Sequence, residues 1–127
     1  MLFRSLRPPG GYIMNALRHA WGFDSWAAFV AMELDEPFDF PDSPHAYAAA
    51  EVFHPGAGRV TAVMGESLLR EHPATREFHL KVSPGDSIRP RVSVGQNTGH
   101  LLHASDSPAA RLELHNIFRQ QFAIEVA

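Results

Sequence analysis

Cysteine is absent from this chain. Its absence excludes disulfides and thiolate metal sites, and accords with a cytoplasmic protein. An excess of positive charge is also missing: 11 Lys and Arg stand against 14 Asp and Glu, a formal net charge of -3. Such a balance offers no electrostatic footprint for nucleic acid. No apolar run approaches the roughly 18 residues that cross a bilayer. The opening Met1-Leu2-Phe3-Arg4-Ser5 is too short and too interrupted to be a secretory signal. Internal repeats and low-complexity tracts are lacking as well. What remains is 127 residues, 45% hydrophobic and 20% charged, the composition of one soluble globular domain with a modest core.

Against that background one stretch stands out. Arg7-Pro8-Pro9-Gly10-Gly11 combines two prolines that stiffen the backbone and remove two donors with two glycines that permit close approach. The guanidinium of Arg7 can grip a carboxylate or phosphate with two parallel hydrogen bonds. A rigid loop with a cation at its base, feeding a helix N-terminus, can serve as an anion-holding device. On pattern alone an ordinary turn is the commoner case.

The periodicity then alternates between helix and strand. Tyr12, Ile13, Leu17, Ala20 and Trp21 recur at helical spacing, with Gly22 as the stop. Asp24 or Ser25 caps a second helix whose apolar side carries Trp26, Phe29, Val30 and Leu34. Residues 35–44, with three prolines and several acids, read as a surface connection. Ala46 to His54 and Arg59 to Met64 have strand character, and the Pro55-Gly56 turn between them suggests a hairpin. A brief helix follows from Glu66 to Glu71. A strand from Glu77 to Val82 then sends Phe78 and Leu80 one way, and Glu77 and His79 the other. Ser83-Pro84-Gly85-Asp86 is a tight turn. Residues 88–97 are irregular, and Thr98 to Ala104 is a strand in which Gly99 allows close backbone packing. Ser107 or Asp106 caps a helix with Pro108 in its first turn. Ala110, Leu114, Ile117 and Phe118 face inward there, while Arg111, His115 and Arg119 fall away. Phe122 to Val126 closes the chain as a strand. The fold class is α+β: an N-terminal helix pair, then a mostly antiparallel sheet with one or two packed helices.

Eight histidines invite a metal hypothesis. His100 and His103 are three apart, so a strand puts them on opposite faces. His19, His45, His54, His72 and His79 are scattered, no His-Glu-x-x-His spacing exists, and no cysteine can complete a tetrahedral site. Surface or turn histidine is the favoured reading, and no metal site is assigned. The acids Glu33, Asp35, Glu36, Asp39 and Asp42 lack the ligand spacing of a calcium loop and read as a solvated linker. Serines 67, 83, 87 and 105 lack a nucleophile elbow. Arg89-Pro90-Arg91 can bind an anion, although solvated arginines are the commoner case. Trp21, Trp26 and Phe29 read as core rather than a ligand platform.

Two separated stretches carry a resemblance. Arg7-Pro8-Pro9-Gly10-Gly11-Tyr12-Ile13 and the helices after it resemble the end of the catalytic domain in ATP-grasp carboxylate–amine ligases, the L-amino acid ligase branch above all. There a Glu-x-Asn-x-Arg-Pro-x-Gly-Gly motif closes the active site. Val82-Ser83-Pro84-Gly85-Asp86-Ser87-Ile88, then Gly99-His100-Leu101-Leu102-His103-Ala104-Ser105 and the helix at Ser107, are similar to that family's C-terminal domain. The resemblance implies residues 1–40 as the tail end of an ATP-grasp catalytic domain, and residues 41–127 as the C-terminal α+β domain. It assigns substrate binding to Arg7, Gly10 and Gly11, which would hold a carboxylate or its acyl phosphate. Phe3 and Ser5 stand where the family's metal-binding glutamate and asparagine would be, and phenylalanine has no oxygen for magnesium. The implied chain is the C-terminal part of a ligase that joins a carboxylate to an amine, inactive alone. ATP and magnesium are implied for the full-length enzyme and neither for this chain alone. The implied partners are a missing N-terminal ATP-grasp region or second subunit and a small carboxylate such as an amino acid. The alternative is a non-catalytic interaction module derived from that family, which would expose an apolar surface where the helix pair once packed.

Overall fold

The computed structural model describes residues 8–93 and 95–127. Two short helices come first, α1 (Ile13–Trp21) and α2 (Ser25–Glu33). Gly22 ends α1 in the left-handed region, its N–H donating to the Arg18 carbonyl at 2.9 Å. Asp24 then starts α2, its carboxylate accepting from the N–H groups of Trp26 and Ala27. The buried Ser25 hydroxyl donates to the Met14 carbonyl at 2.6 Å and ties the two helices together.

The strands form two three-stranded antiparallel sheets. One has the order β1 (Tyr47–Val52), β5 (Gly99–Ser105), β3 (Thr75–Leu80). The other has β4 (Ser87–Ile88), β2 (Gly58–Met64), β6 (Ala123–Val126). The short helix α3 (Glu66–Arg70) precedes β3, and α4 (Pro108–Gln121) precedes β6. Every residue of β5 is buried, because α1 packs on one face of β1 and β5 and α4 on the other. Alternation along β5 sends His100 toward α1, against Tyr12, and Leu101 toward α4, into a core with Phe53, Leu69 and Leu114. Phe78, Phe118 and Ile124 pack around that core, so both sheets share it. No helix among the described residues is long and apolar enough to cross a membrane.

Four expectations need correction. Ala46–His54 and Arg59–Met64 are not a hairpin: β1 pairs with β5, while β2 pairs with β4 and β6. The Pro55-Gly56 link carries the chain from one sheet to the other. Its turn signal is local and does not choose a strand's partner.

The inner face of α2 is Ser25, Ala28 and Ala31, whereas Trp26, Val30 and Leu34 are 50%, 52% and 62% exposed. Small side chains let α2 approach closely, and the large ones face outward. Trp26 is therefore not core; Trp21 and Phe29 are half-buried. His115 does not fall away from the sheet but bonds to Glu51 at 2.6 Å. Finally, His100 and His103 are buried, not surface residues. The acids Glu33, Asp35, Glu36, Asp39 and Asp42 are all exposed, as a solvated linker requires.

Candidate functional site

The glycine pair sits at the mouth of a cleft. Gly10 and Gly11 form the turn that leads into α1, and Gly11 (φ 68) and Tyr12 (φ 66) are both left-handed. A tyrosine in that region is strained by roughly 1–2 kcal/mol. What holds it there is a stack: the Tyr12 ring lies 3.8 Å from the His100 ring, nearly parallel at 22°. His100 is fixed in turn by its place on β5. A carboxylate oxygen of Glu77 on β3 stands 3.7 Å from His100 Nε2, and the other accepts from His19 Nε2 on α1 at 3.2 Å. His79 and Lys81 lie on the same side of this group, the His79 ring 5.9 Å from that of His100. Three elements thus converge to set one loop.

Gly11 and Tyr12 line the cleft together with Val52, His54 and Asn97. His54 arrives here because β1 ends beside the start of β5. The Phe53 N–H donates to the Gly99 carbonyl at 2.9 Å, and the Thr98 N–H and hydroxyl donate to the Phe53 carbonyl at 3.1 and 3.0 Å. Helix α1 has neither a side-chain cap nor an acidic residue in its first turn. Both longer-range packing helices differ, since α2 and α4 are capped by Asp24 and Ser107. The positive end of α1 is therefore not neutralised by its own sequence, and the cleft above it suits an anion.

Of the residues expected to bind substrate, Gly10 and Gly11 stand at this loop, and Arg7 lies outside the described residues, as do Phe3 and Ser5. Arg89 and Arg91 line a neighbouring cleft that shares His54 and Asn97 with the first. Sequence reasoning missed Tyr12, His54, Asn97 and His100. Alternation along the strand gave the face of His100, but its neighbours depend on the pairing that sets His79 opposite it. The pairing itself was not legible. Among the described residues no group of three or more His, Asp or Glu is placed to hold a metal ion. The described residues therefore offer no magnesium site, and no step is assigned to one.

A second polar cluster lies on the α4 face of the same sheet. Glu51 is flanked by His103 Nε2 at 3.7 Å and His115 Nδ1 at 2.6 Å. These imidazoles, His103 first, hold the Glu51 carboxyl below its usual range against the opposing effect of burial. On the other face, burial pushes the His100 imidazole below its usual range, partly offset by Glu77. The two shifts act in the same direction on stability. With both folded-state values depressed, the unfolded chain binds more protons, so acid destabilises the fold. The His100 contribution is lost as pH falls below the ordinary imidazole value of 6.5, and the Glu51 contribution as it falls below the ordinary carboxyl value of 4.5. Thermal melts from about pH 8 to about pH 2 are expected to show one decline in Tm on the imidazole limb and another on the carboxyl limb. Glu51→Gln is expected to flatten only the second. A flat Tm across both limbs contradicts this assignment.

Comparison with known proteins bears on the family and the fold. Residues 51–127 match the family model of L-amino acid ligase C-terminal domain 2. An L-amino acid ligase from Bacillus licheniformis superposes with a TM-score of 0.72 at 14% identity, over 92% of this chain and 30% of that one. A phosphoribosylglycinamide synthetase from Anaerococcus prevotii superposes with a TM-score of 0.65 at 9% identity, over 92% of this chain and 31% of that one. The chain thus spans about a third of the length of either enzyme. At such identities the likeness is one of fold. No curated protein matches the sequence.

Proposed function

This chain belongs to the L-amino acid ligase C-terminal domain 2 family, and on that premise we propose that it supplies the carboxylate-orienting end of an ATP-dependent carboxylate–amine ligase. In this reading ATP phosphorylates a carboxylate, and an amine displaces the phosphate to leave an amide. The observation that carries the reading is the uncapped N-terminus of α1 beneath the left-handed Gly11–Tyr12 loop. Backbone donors there, with Arg7 upstream, would hold the carboxylate or its acyl phosphate in place. Positioning of this kind stabilises charge that develops in the transfer step. Nucleotide and magnesium binding fall to a region beyond this chain, which is why the chain alone is expected to make no amide. Residues 1–40 would complete the catalytic domain, and residues 41–127 would form the C-terminal domain, in the cytoplasm.

The exposed stripe Trp26, Val30 and Leu34, spaced by four along α2, supplies a surface for meeting that ATP-binding region. The same stripe serves the alternative, a non-catalytic interaction module. A chain that binds its partner with no amide formed would favour that second reading.

The test is kinetic and uses the ligase assembled from this chain and an ATP-binding region. A side chain at Gly11 meets no atom within 4 Å, but its φ of 68 disfavours one. Gly11→Val is therefore expected to pull the loop backbone out of the left-handed region while the packed core stays intact, spoiling the substrate's close approach to the loop. The KM for the carboxylate is expected to rise about tenfold, equivalent to ~1.4 kcal/mol, with the KM for ATP unchanged. An altered KM for ATP with an unaltered KM for the carboxylate would sink the proposed role of the loop.

A further inference from the structure

The cleft beside the glycine loop has a composition that the loop does not explain. Arg89 and Arg91, from the irregular segment after β4, line it together with His54 and the Pro55-Gly56 turn. Gln96, Asn97 and Thr98 line it as well. Among the described residues that line it none is acidic. Its volume of about 280 Å³ is at the small end of the range for small-molecule sites. Ile88 and Ala57 add an apolar wall, enough for a short aliphatic group.

Two observations tie the cationic groups into one field. The Arg91 charge reaches His54, whose imidazole lies below its ordinary value, first through burial and then through that charge. Arg91 is also oriented, its Nε donating to the Ser93 carbonyl at 2.9 Å. Guanidinium forks match the planar oxygens of carboxylates and phosphates. The cleft meets the glycine-loop cleft at His54 and Asn97, so one small molecule can span both.

We propose that Arg89, Arg91 and His54 form an anion subsite that takes the carboxylate or phosphoryl group of a small ligand whose other end lies against Gly11 and Tyr12. This deepens the ligase reading and rests on it: the substrate would be a small molecule with a second oxyanion, distinct from the group held at the loop. The neutral amides of Gln96 and Asn97 supply further donors without opposing the charge.

The experiment is an NMR titration of the full chain at constant ionic strength, with inorganic phosphate in one arm and acetate in the other. Saturable shifts are expected at the backbone amides of Gly56, Arg89, Arg91 and Asn97 and on the His54 ring, with the His54 pKa rising as the anion binds. Tighter phosphate binding assigns a phosphoryl group, and tighter acetate binding a carboxylate; either supports the subsite. Because both arginines are exposed, the R89A/R91A double variant is expected to keep its fold and to lose roughly tenfold or more in affinity. R89K/R91K, which keeps charge and loses the fork, is expected to fall between.

Shifts that fail to saturate in both arms, or that persist unchanged in R89A/R91A, overturn the proposal. So do shifts centred on another part of the chain. The titration contains no ATP and no partner, so its outcome is separate from that of the ligase reading. Saturation here, with no amide formed by any assembled enzyme, would uphold the subsite and sink that reading.

Discussion

Replacing Gly99 by alanine is expected to destabilise the fold by about 4 kcal/mol, a large share of the ~5–15 kcal/mol that holds a domain together. Gly99 opens β5 with φ 152, in the region that L side chains rarely adopt. A Cβ there would lie 2.9 Å from the Phe53 ring and 3.1 Å from the Leu80 Cα, and closer still to the His79 carbonyl oxygen. Two of those obstacles are backbone, which cannot rotate away. The residue also receives the Phe53 N–H on its carbonyl at 2.9 Å. Displacing it moves the end of β1, and with it His54 at the cleft. Thermal or urea melts are expected to show Tm lower by about 15 °C, taking ~4 °C per kcal/mol for a chain of this size. A loss under about 1 kcal/mol would mean that β5 relaxes around the new methyl group. The packing described here would then be wrong.

Leu101→Ala is expected to cost about 3 kcal/mol, within the usual range for a leucine removed from a closed core. Leu101 is fully buried, as are Leu69 and Leu114 against which it packs, and Phe53 closes the cluster. Three separate elements, β5, α3 and α4, meet at these side chains, so the cavity cannot collapse by moving one of them alone. The functional consequence differs from that at Gly99. Leu101 points toward α4, away from Tyr12 and the glycine loop. The variant is therefore expected to lose stability while its folded fraction binds anions as the parent does. A loss of anion affinity matching the loss of stability would show that the two faces of the sheet are coupled.

The contrast between these two positions also explains what the sequence revealed and what it did not. Features written in neighbouring residues were legible. Gly22 and Asp24 bounded the first two helices, and Ser107 with Pro108 opened the last. The turn at Ser83–Asp86 is closed by its own Asp86, whose carboxylate accepts the Ser83 N–H at 2.8 Å. Gly99 was read as a place of close packing, which it is.

What required distant partners was not legible. The Pro55-Gly56 turn looks like a hairpin because nothing local says that β1 will pair with a strand some fifty residues on. Helix α2 is apolar all round, so its periodicity could not choose between the large stripe of Trp26, Val30 and Leu34 and the small one of Ala28 and Ala31. Steric access decided it. The histidines misled for the same reason. Each buried ring has a carboxylate 3.7 Å from its Nε2, too far for a hydrogen bond, and those carboxylates, Glu77 and Glu51, come from other strands. The candidate site divides likewise: the glycine pair announced itself, while His54 and Asn97 reach it only once β1 and β5 lie side by side.

The central claim is that this chain serves a ligase that activates a carboxylate by phosphorylation, and oxygen-18 tests it most directly. In the assembled ligase, an amino acid labelled in its carboxylate would be converted with ATP and an amine to the amide. An acyl phosphate route transfers one labelled oxygen to inorganic phosphate and leaves the other in the amide, with ADP as the remaining product. The account predicts one label per phosphate released, with the amount of labelled phosphate dependent on this chain and reduced with turnover in Gly11→Val. Unlabelled phosphate, or label appearing in AMP, would contradict it.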